Sequence, residues 1–360
     1  MSARTHLYMR KCREQALNFF ISRYEYIMTF ALNNIIEVTH LKKYFPISNG
    51  IFSSFKPGKK KYKKAVDDVT LKLSRGKALV IVGESGSGKT TLARLILRSL
   101  DADSGTIMFN GFDITHKSGK HLRYFRSKVQ MIHQDPYTSL DPRMTVLNIV
   151  MEPLDIFCNY YSKKERAEIT LKTMESVFLD PVVDTSTKLP HMLSGGQRQR
   201  VALARALIVM PELIIADEAV SMLDVSIRSE ILQLMKNLSI QRRITYLYIT
   251  HDLATSKYIG DDLAVMYSGK IVEMGKVDSV LSKPLHPYTQ ALIQAVSEPE
   301  PSNLLSQKLI SIKSTDKNPP DEGCNFYNKC RYSMDICRIN PPNKAIDPDH
   351  FVSCYLHNRS

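Results

Sequence analysis

Apolar positions along this chain change period several times, and the changes mark out its elements. In "NIIEVTHLKKYFPI", Asn34 to Ile47, hydrophobic and polar residues alternate. That is the pattern of a half-buried strand, read here as an edge strand. A lysine- and glycine-rich loop, Ser48 to Lys64, follows. Then "AVDDVTLKLSRGKALVIVG" predicts two strands joined at the "SRG" turn, Ser74 to Gly76. The second of them, "ALVIV", is an unbroken apolar run of the kind a strand covered on both faces needs. From Gly83 to Lys270, short apolar runs such as "PELIIADE" and "ITYLYITHD" alternate with helix-period stretches such as "RAEITLKTMESVFL". This predicts an α/β fold on a largely parallel sheet. Proline and polar residues then rise through "SEPEPSN", which reads as a linker to a tail. No internal repeat or heptad run is found.

Composition adds limits. At 360 residues and 43% hydrophobic, the chain can bury one large core with appendages. Its most apolar stretch, "QALNFFISRYEYIMTFAL", is interrupted by Arg23 and Glu25. It falls short of the ~20 apolar residues that span a bilayer, and it lacks a signal-peptide pattern, so a cytoplasmic chain is expected. Residues 1–27 read as an extension, with Met28 as an alternative start to Met1. The net charge of +13 invites a nucleic-acid reading, but much of it is local. "KPGKKKYKK" holds six lysines, and Arg4, Arg10, Lys11, Arg13 and Arg23 lie near the start. A solvated loop is the first reading, anionic lipid the second and nucleic acid the last, since Tyr62 is the one aromatic in the run.

Three motifs carry chemistry. "GESGSGKTT" comprises Gly83, Glu84, Ser85, Gly86, Ser87, Gly88, Lys89, Thr90 and Thr91. It fits G-x-x-x-x-G-K-[ST] between a strand and a helix, where backbone N–H groups and a helix N-terminus can hold phosphates. Lys89 would reach the β- and γ-phosphates, and the Thr90 hydroxyl would bind Mg²⁺. "LIIADE" ends an apolar strand in Asp217, for the Mg²⁺ shell, and Glu218, placed to act as general base on a water. "LSGGQRQR" offers a second phosphate-binding helix start, with Ser194 as cap, Gly195 and Gly196 open to close approach, and a helix from about Gln197.

A second such turn is useful if it closes over a phosphate held by another subunit. Together with a glutamine in "MIHQD" and a histidine in "YITHD", this order of motifs resembles the ATPase subunits of ABC transporters. The resemblance implies a RecA-like parallel sheet with an antiparallel β subdomain and a helical subdomain bearing the signature. It implies that Gln134 senses Mg²⁺, that Ser194, Gly195, Gly196 and Gln197 bind ATP across a dimer, and that Asp224 and His251 are the D-loop and switch residues. Phe45, with Tyr44 second, would stack on adenine. Two positions depart from the pattern: Ala219 stands where proline is usual, and Met222 where alanine is usual.

"LKKYFPI…KAVDDV", "MIHQDPYTSLDPRMTV" and "PLHPYTQALIQAV" narrow the resemblance to oligopeptide/dipeptide importer ATPases of the F-type, with nickel importers as the alternative. Implied partners are a second, D-type ATPase in a heterodimer, two membrane permeases and, indirectly, an extracytoplasmic solute-binding protein. The location implied is the cytoplasmic face of the inner membrane. Residues 28–280 would form the nucleotide-binding domain and 281–360 the family's C-terminal extension. Cys324, Cys330, Cys337 and Cys354 supply four thiolates. The resemblance favours a [4Fe–4S] cluster, with Zn²⁺ or uncoordinated thiols as alternatives. A soluble ATPase acting on nucleic acid or ribosomes would carry two ATPase domains in tandem or a long coiled coil, and an exporter ATPase would lack the "HPYT" segment and the cysteine tail.

Overall fold

The computed structural model describes residues 33–47, 62–135, 139–296 and 322–357. The extension 1–27, the lysine run up to Lys61, residues 136–138 of the glutamine-bearing stretch and the linker at 297–321 lie outside the described residues.

The strand that carries the glycine loop, β3 (Ala78–Val82), is central. It pairs in parallel with β8 (Thr245–Thr250) on one side and β9 (Asp262–Tyr267) on the other. Beyond β8 lie β7 (Leu213–Asp217) and β6 (Val129–Ile132), both parallel. Beyond β9 the sheet turns antiparallel through β10 (Lys270–Lys276), β12 (His350–Val352) and β11 (Lys344–Asp347). The period of two along each strand divides the core. Val80, Val82, Ile214, Ala216 and Val265 face one apolar cluster; Leu79, Ile81, Leu213, Ile215 and Met266 face the other. Both faces are covered, which is why these strands read as continuous apolar runs.

A second sheet, wholly antiparallel, has the order β2 (Tyr62–Ser74), β1 (Asn34–Pro46), β4 (Ser104–Phe109), β5 (Phe112–Asp113). The expectation of an edge strand at Asn34–Ile47 is corrected here. β1 has β2 on one side and β4 on the other. Alternation reports which face is buried and carries no information on whether a strand has one neighbour or two.

Helix α1 (Lys89–Ile96) leaves the glycine loop, and α2 (Gly119–Lys128) precedes β6. Between β6 and β7 the helices α3 (Val146–Phe157), α4 (Lys163–Ser176), α5 (Val182–Thr187) and α6 (Gly195–Leu207) pack on one another as a helical subdomain. Then come α7 (Val225–Arg242), α8 (Leu253–Ile259), α9 (Val277–Ser282) and α10 (Pro287–Val296). None of the described helices is long and apolar enough to cross a membrane.

One buried carboxylate fixes the C-terminal segment to the main sheet. Glu273 on β10, 1% exposed, accepts N–H bonds from Leu285 and His286 at 2.8 Å each. It also meets Nε2 of His350 on β12 at 2.8 Å. A carboxylate this deep is held by its donors, and removing it strands all of them. Glu273→Leu is expected to cost about 3 kcal/mol or more, read as a lower urea midpoint for the full chain. An unchanged midpoint would contradict this account of the attachment.

Candidate functional site

In an open α/β sheet, ligands bind beyond the carboxyl ends of the parallel strands, where the strand order reverses. That point here is β3, between β8 and β9, and the described catalytic candidates collect around it. At two points the chain from β3 to α1 passes so close to other backbones that a side chain is excluded. A Cβ at Gly83 would lie 2.1 Å from the Met266 carbonyl oxygen, and one at Gly88 would lie 2.0 Å from that of Ala65. Gly86 and Gly88 have φ of 79° and 109°, the left-handed region that glycine occupies without penalty.

Inside the loop, Lys89 is 5% exposed and donates to the carbonyls of Gly83 (2.7 Å) and Glu84 (2.9 Å). Burial pulls its ammonium below the usual lysine range, while Glu218, Asp217 and Glu84 favour the charge. The Thr90 hydroxyl donates to Asp217 at 3.2 Å. Asp217, last residue of β7, is pushed above the usual carboxylate range by burial. A hydroxyl beside a carboxylate is an oxygen donor set suited to a hard cation such as Mg²⁺.

Glu218 follows with φ +48°, an unusual conformation for a residue bearing a side chain. Its N–H bonds to the Ile249 carbonyl on β8, and its own carbonyl accepts from the Ser221 amide (3.0 Å) and hydroxyl (2.9 Å). The turn is therefore pinned on both sides, and it turns the carboxylate toward two partners. Gln134 Nε2 donates to Oε2 at 2.9 Å, and His251 Nδ1 lies 3.4 Å from Oε1. Gln134, Glu218 and His251 come from three separate loops, after β6, β7 and β8, and the structure brings them together.

The signature is built separately. Ser194 and Gln197 form a reciprocal capping box: the Gln197 amide donates to Ser194 Oγ (3.2 Å), and the Ser194 amide donates to Gln197 Oε1 (3.0 Å). The helix starts at Gly195, directly after its cap Ser194 and two residues earlier than expected. Gly196 is small for a packing reason as well: a Cβ there would come 2.7 Å from Ile227 Cγ2 on α7. Among the described residues, no hydrogen bond joins Ser194–Gln197 to Gly83–Thr91.

Other candidates differ from expectation in detail. The Glu84 amide is donated to the Tyr288 hydroxyl at 2.8 Å, so it is already engaged outside the cradle. The Tyr44 hydroxyl is tied to Asp67. Phe45 is 38% exposed and has Lys43 Nζ 5.8 Å from its ring centre, which leaves it the more open ring of the two. Asp224 caps α7 without a side-chain bond, Ala219 is buried and Met222 is exposed. Cys324, Cys330, Cys337 and Cys354 line one cavity. Burial pushes the thiols of Cys324 and Cys354 up to about 11 and about 12. No group of three or more His, Cys, Asp or Glu among the described residues is arranged to hold a metal ion.

Sequence reasoning passed over Arg228, which donates to the Leu223 carbonyl at 3.2 Å and lies 3.6 Å from Asp252, joining the turn after Glu218 to the residue after His251. It also passed over Tyr288, whose signal was its place in "PLHPYTQALIQAV".

With the geometry in hand, comparison with known proteins defines the class. Residues 66–221 match the family described as "ABC transporter", and residues 272–337 match "Oligopeptide/dipeptide transporter, C-terminal region". The fold resembles a bacterial ABC transporter cassette, MJ0796, solved as a dimer. The TM-score is 0.58 at 26% identity, over 67% of this chain and 98% of that one. The oligopeptide transport ATP-binding protein AppF of Bacillus subtilis (strain 168) is 42% identical over 328 residues, 90% of this chain and 98% of its own. A probable peptide ABC transporter ATP-binding protein, y4tS, of Sinorhizobium fredii is 41% identical over 324 residues, 89% of this chain and 90% of its own. The chain belongs to the ATP-binding proteins of the oligopeptide/dipeptide ABC transporter family.

The Gly196–Ile227 contact gives a stability test. Gly196→Ala is expected to destabilise the chain by about 1–2 kcal/mol through overpacking. Adding Ile227→Ala should recover part of that loss, seen as coupling in a double-mutant cycle of denaturation midpoints. Purely additive effects would contradict the contact.

Proposed function

We propose that this chain is the ATP-hydrolysing subunit that energises uptake of oligopeptides or dipeptides across the cytoplasmic membrane. It would work at the inner face of that membrane, paired with a second ATPase and docked on two permeases fed by a solute-binding protein. The observation that carries the reading is the convergence of Gln134, Glu218 and His251 beside the Lys89 loop. The peptide-transport names of the relatives support the cargo class, and the dimeric neighbour supports pairing.

In this reading Lys89 and the amides of the glycine loop bind the β- and γ-phosphates of ATP, and Phe45 stacks on its adenine. Thr90 and Asp217 would hold Mg²⁺, with Gln134 reaching the same shell; when bound, the ion offsets the charge on the phosphates. Glu218 orients a water in line with the γ-phosphorus and takes its proton. The water oxygen bonds to phosphorus as the bridge to the β-phosphate breaks, leaving ADP and inorganic phosphate. His251 bonds the γ-phosphate and positions it. Ser194, Gly195, Gly196 and Gln197 bind the γ-phosphate held by the partner ATPase, so closure of the pair and hydrolysis alternate. Residues 28–280 form the nucleotide-binding domain and 281–360 an extension.

For the four cysteines we read a structural cluster site, of [4Fe–4S] type or, failing that, Zn²⁺. Their shared cavity supports it, while the spacing of the thiols as described does not yet form a ligand set. Iron, sulfide and zinc analysis of anaerobically purified chain distinguishes the cluster, zinc and uncoordinated thiols.

Glu218→Gln in the assembled transporter is expected to lower ATP turnover by about 10²-fold or more while ATP still binds, as befits loss of a general base. Turnover at the wild-type rate would overturn the assignment. Gentle solubilisation of membranes should recover a second ATPase and two permeases with this chain. Recovery only with ribosomes or nucleic acid would overturn the transporter reading.

A further inference from the structure

We infer that Tyr288 is a positioning residue for the phosphate loop, and that through it the cysteine-bearing C-terminal segment sets how tightly the nucleotide is held. This rests on the ATP-site reading above.

The argument turns on one peptide unit. The bond between Gly83 and Glu84 places a carbonyl and an N–H at opposite ends of one rigid plane. Its carbonyl accepts from Lys89 Nζ at 2.7 Å, inside the loop. Its N–H is donated to the Tyr288 hydroxyl at 2.8 Å, outside the loop. With both ends engaged, the plane cannot rotate without losing a bond. Gly83 is thereby held in one orientation against Met266. Lys89 is within the loop and serves the phosphate, but Tyr288 lies two hundred residues away on α10, some 204 positions along the chain. Its hydroxyl accepts from the Glu84 amide.

Tyr288 is itself fixed from behind. It is 1% exposed, its ring lies 4.5 Å from that of Tyr267 and 5.6 Å from that of Phe326, and its amide donates to His286 Nδ1 at 3.0 Å. Burial holds His286 neutral, at about 3, so its Nδ1 stays an acceptor. Phe326 belongs to the cysteine segment, two residues after Cys324, and also meets Tyr267 edge-on at 5.3 Å. Next to it, Asn325 donates to the Ser268 carbonyl at 2.7 Å, and the adjoining Gly269 amide donates to the Ser87 carbonyl of the phosphate loop at 2.8 Å. Two consecutive residues of the tail, Asn325 and Phe326, thus bear on the two supports of the loop. A tail that is folded against β10 presents a pre-formed cradle; a tail that loosens frees the Gly83–Glu84 plane to turn, and ATP must then restore it on binding.

The test is equilibrium binding of N-methylanthraniloyl-ATP to the full-length chain, displaced by ATP, with steady-state ATPase of the assembled transporter alongside. Lys89→Ala serves as the control on the site itself. If Lys89→Ala binds as well as wild type, the ATP-site reading fails. With that control intact, Tyr288→Phe removes only the hydroxyl and is expected to weaken nucleotide binding about tenfold, the worth of one well-made hydrogen bond. KM should rise by a similar factor with kcat within about twofold, because the contact is made equally before and during reaction. Phe326→Ala should weaken binding in the wild-type background and much less in the Tyr288→Phe background. Binding within about twofold of wild type for Tyr288→Phe overturns the proposal. So does a fall of kcat and thermal stability with binding unchanged, which marks a merely structural tyrosine.

Discussion

No side chain fits where the chain leaves β3, and most of the site follows from that. Gly83 and Gly88 each press against a backbone carbonyl of another strand, Met266 on β9 and Ala65 on β2. The loop between them is therefore a wedge held by both sheets, the parallel one that carries β9 and the antiparallel one that carries β2. Such a wedge has its lysine held by the Gly83 and Glu84 carbonyls before any ligand arrives. Preorganisation of this kind puts the energetic cost of shaping a phosphate site into folding, where a large core offsets it.

Around the wedge, the catalytic candidates are arranged by the sheet rather than by local sequence. β6, β7 and β8 run parallel and in register, so the residues just past their ends, Gln134, Glu218 and His251, arrive side by side from positions 84 and 33 residues apart. Glu218 sits in a left-handed conformation that the Ile249 carbonyl and Ser221 maintain. Strain of this type persists where surrounding structure over-determines it, and here it aims a carboxylate at its two neighbours. The signature is built apart from this group, its helix start closed by its own capping box.

Much of this was legible in the residues. The glycine loop, the strand ending in Asp217 and Glu218, and the Ser194 cap each have a local signature, because each depends on the residue types of one short stretch. The alternation in "NIIEVTHLKKYFPI" correctly gave a strand and wrongly gave an edge, since only the partner strands β2 and β4 decide that. The contacts of Glu84, Arg228, Glu273 and Tyr288 were not legible for the same reason. The roles of these residues depend on contacts with residues distant in the chain: 24 positions between Arg228 and Asp252, 77 between Glu273 and His350, and 204 between Glu84 and Tyr288. No periodicity records such a pairing. The cysteines stand between these cases: their crowding near the end of the chain and the family resemblance suggested a shared site, and the fold gathers them around one cavity, but it leaves them short of a ligand set.

The central claim is that hydrolysis of ATP at the Lys89 loop drives peptide uptake. The most direct measurement is entry of a labelled oligopeptide into vesicles containing the whole transporter with its solute-binding protein, with ATP supplied on the cytoplasmic face. The account expects uptake that requires ATP and collapses when this chain carries Lys89→Ala. Uptake at the wild-type rate with that variant, in vesicles where no other copy of the chain is present, would contradict it.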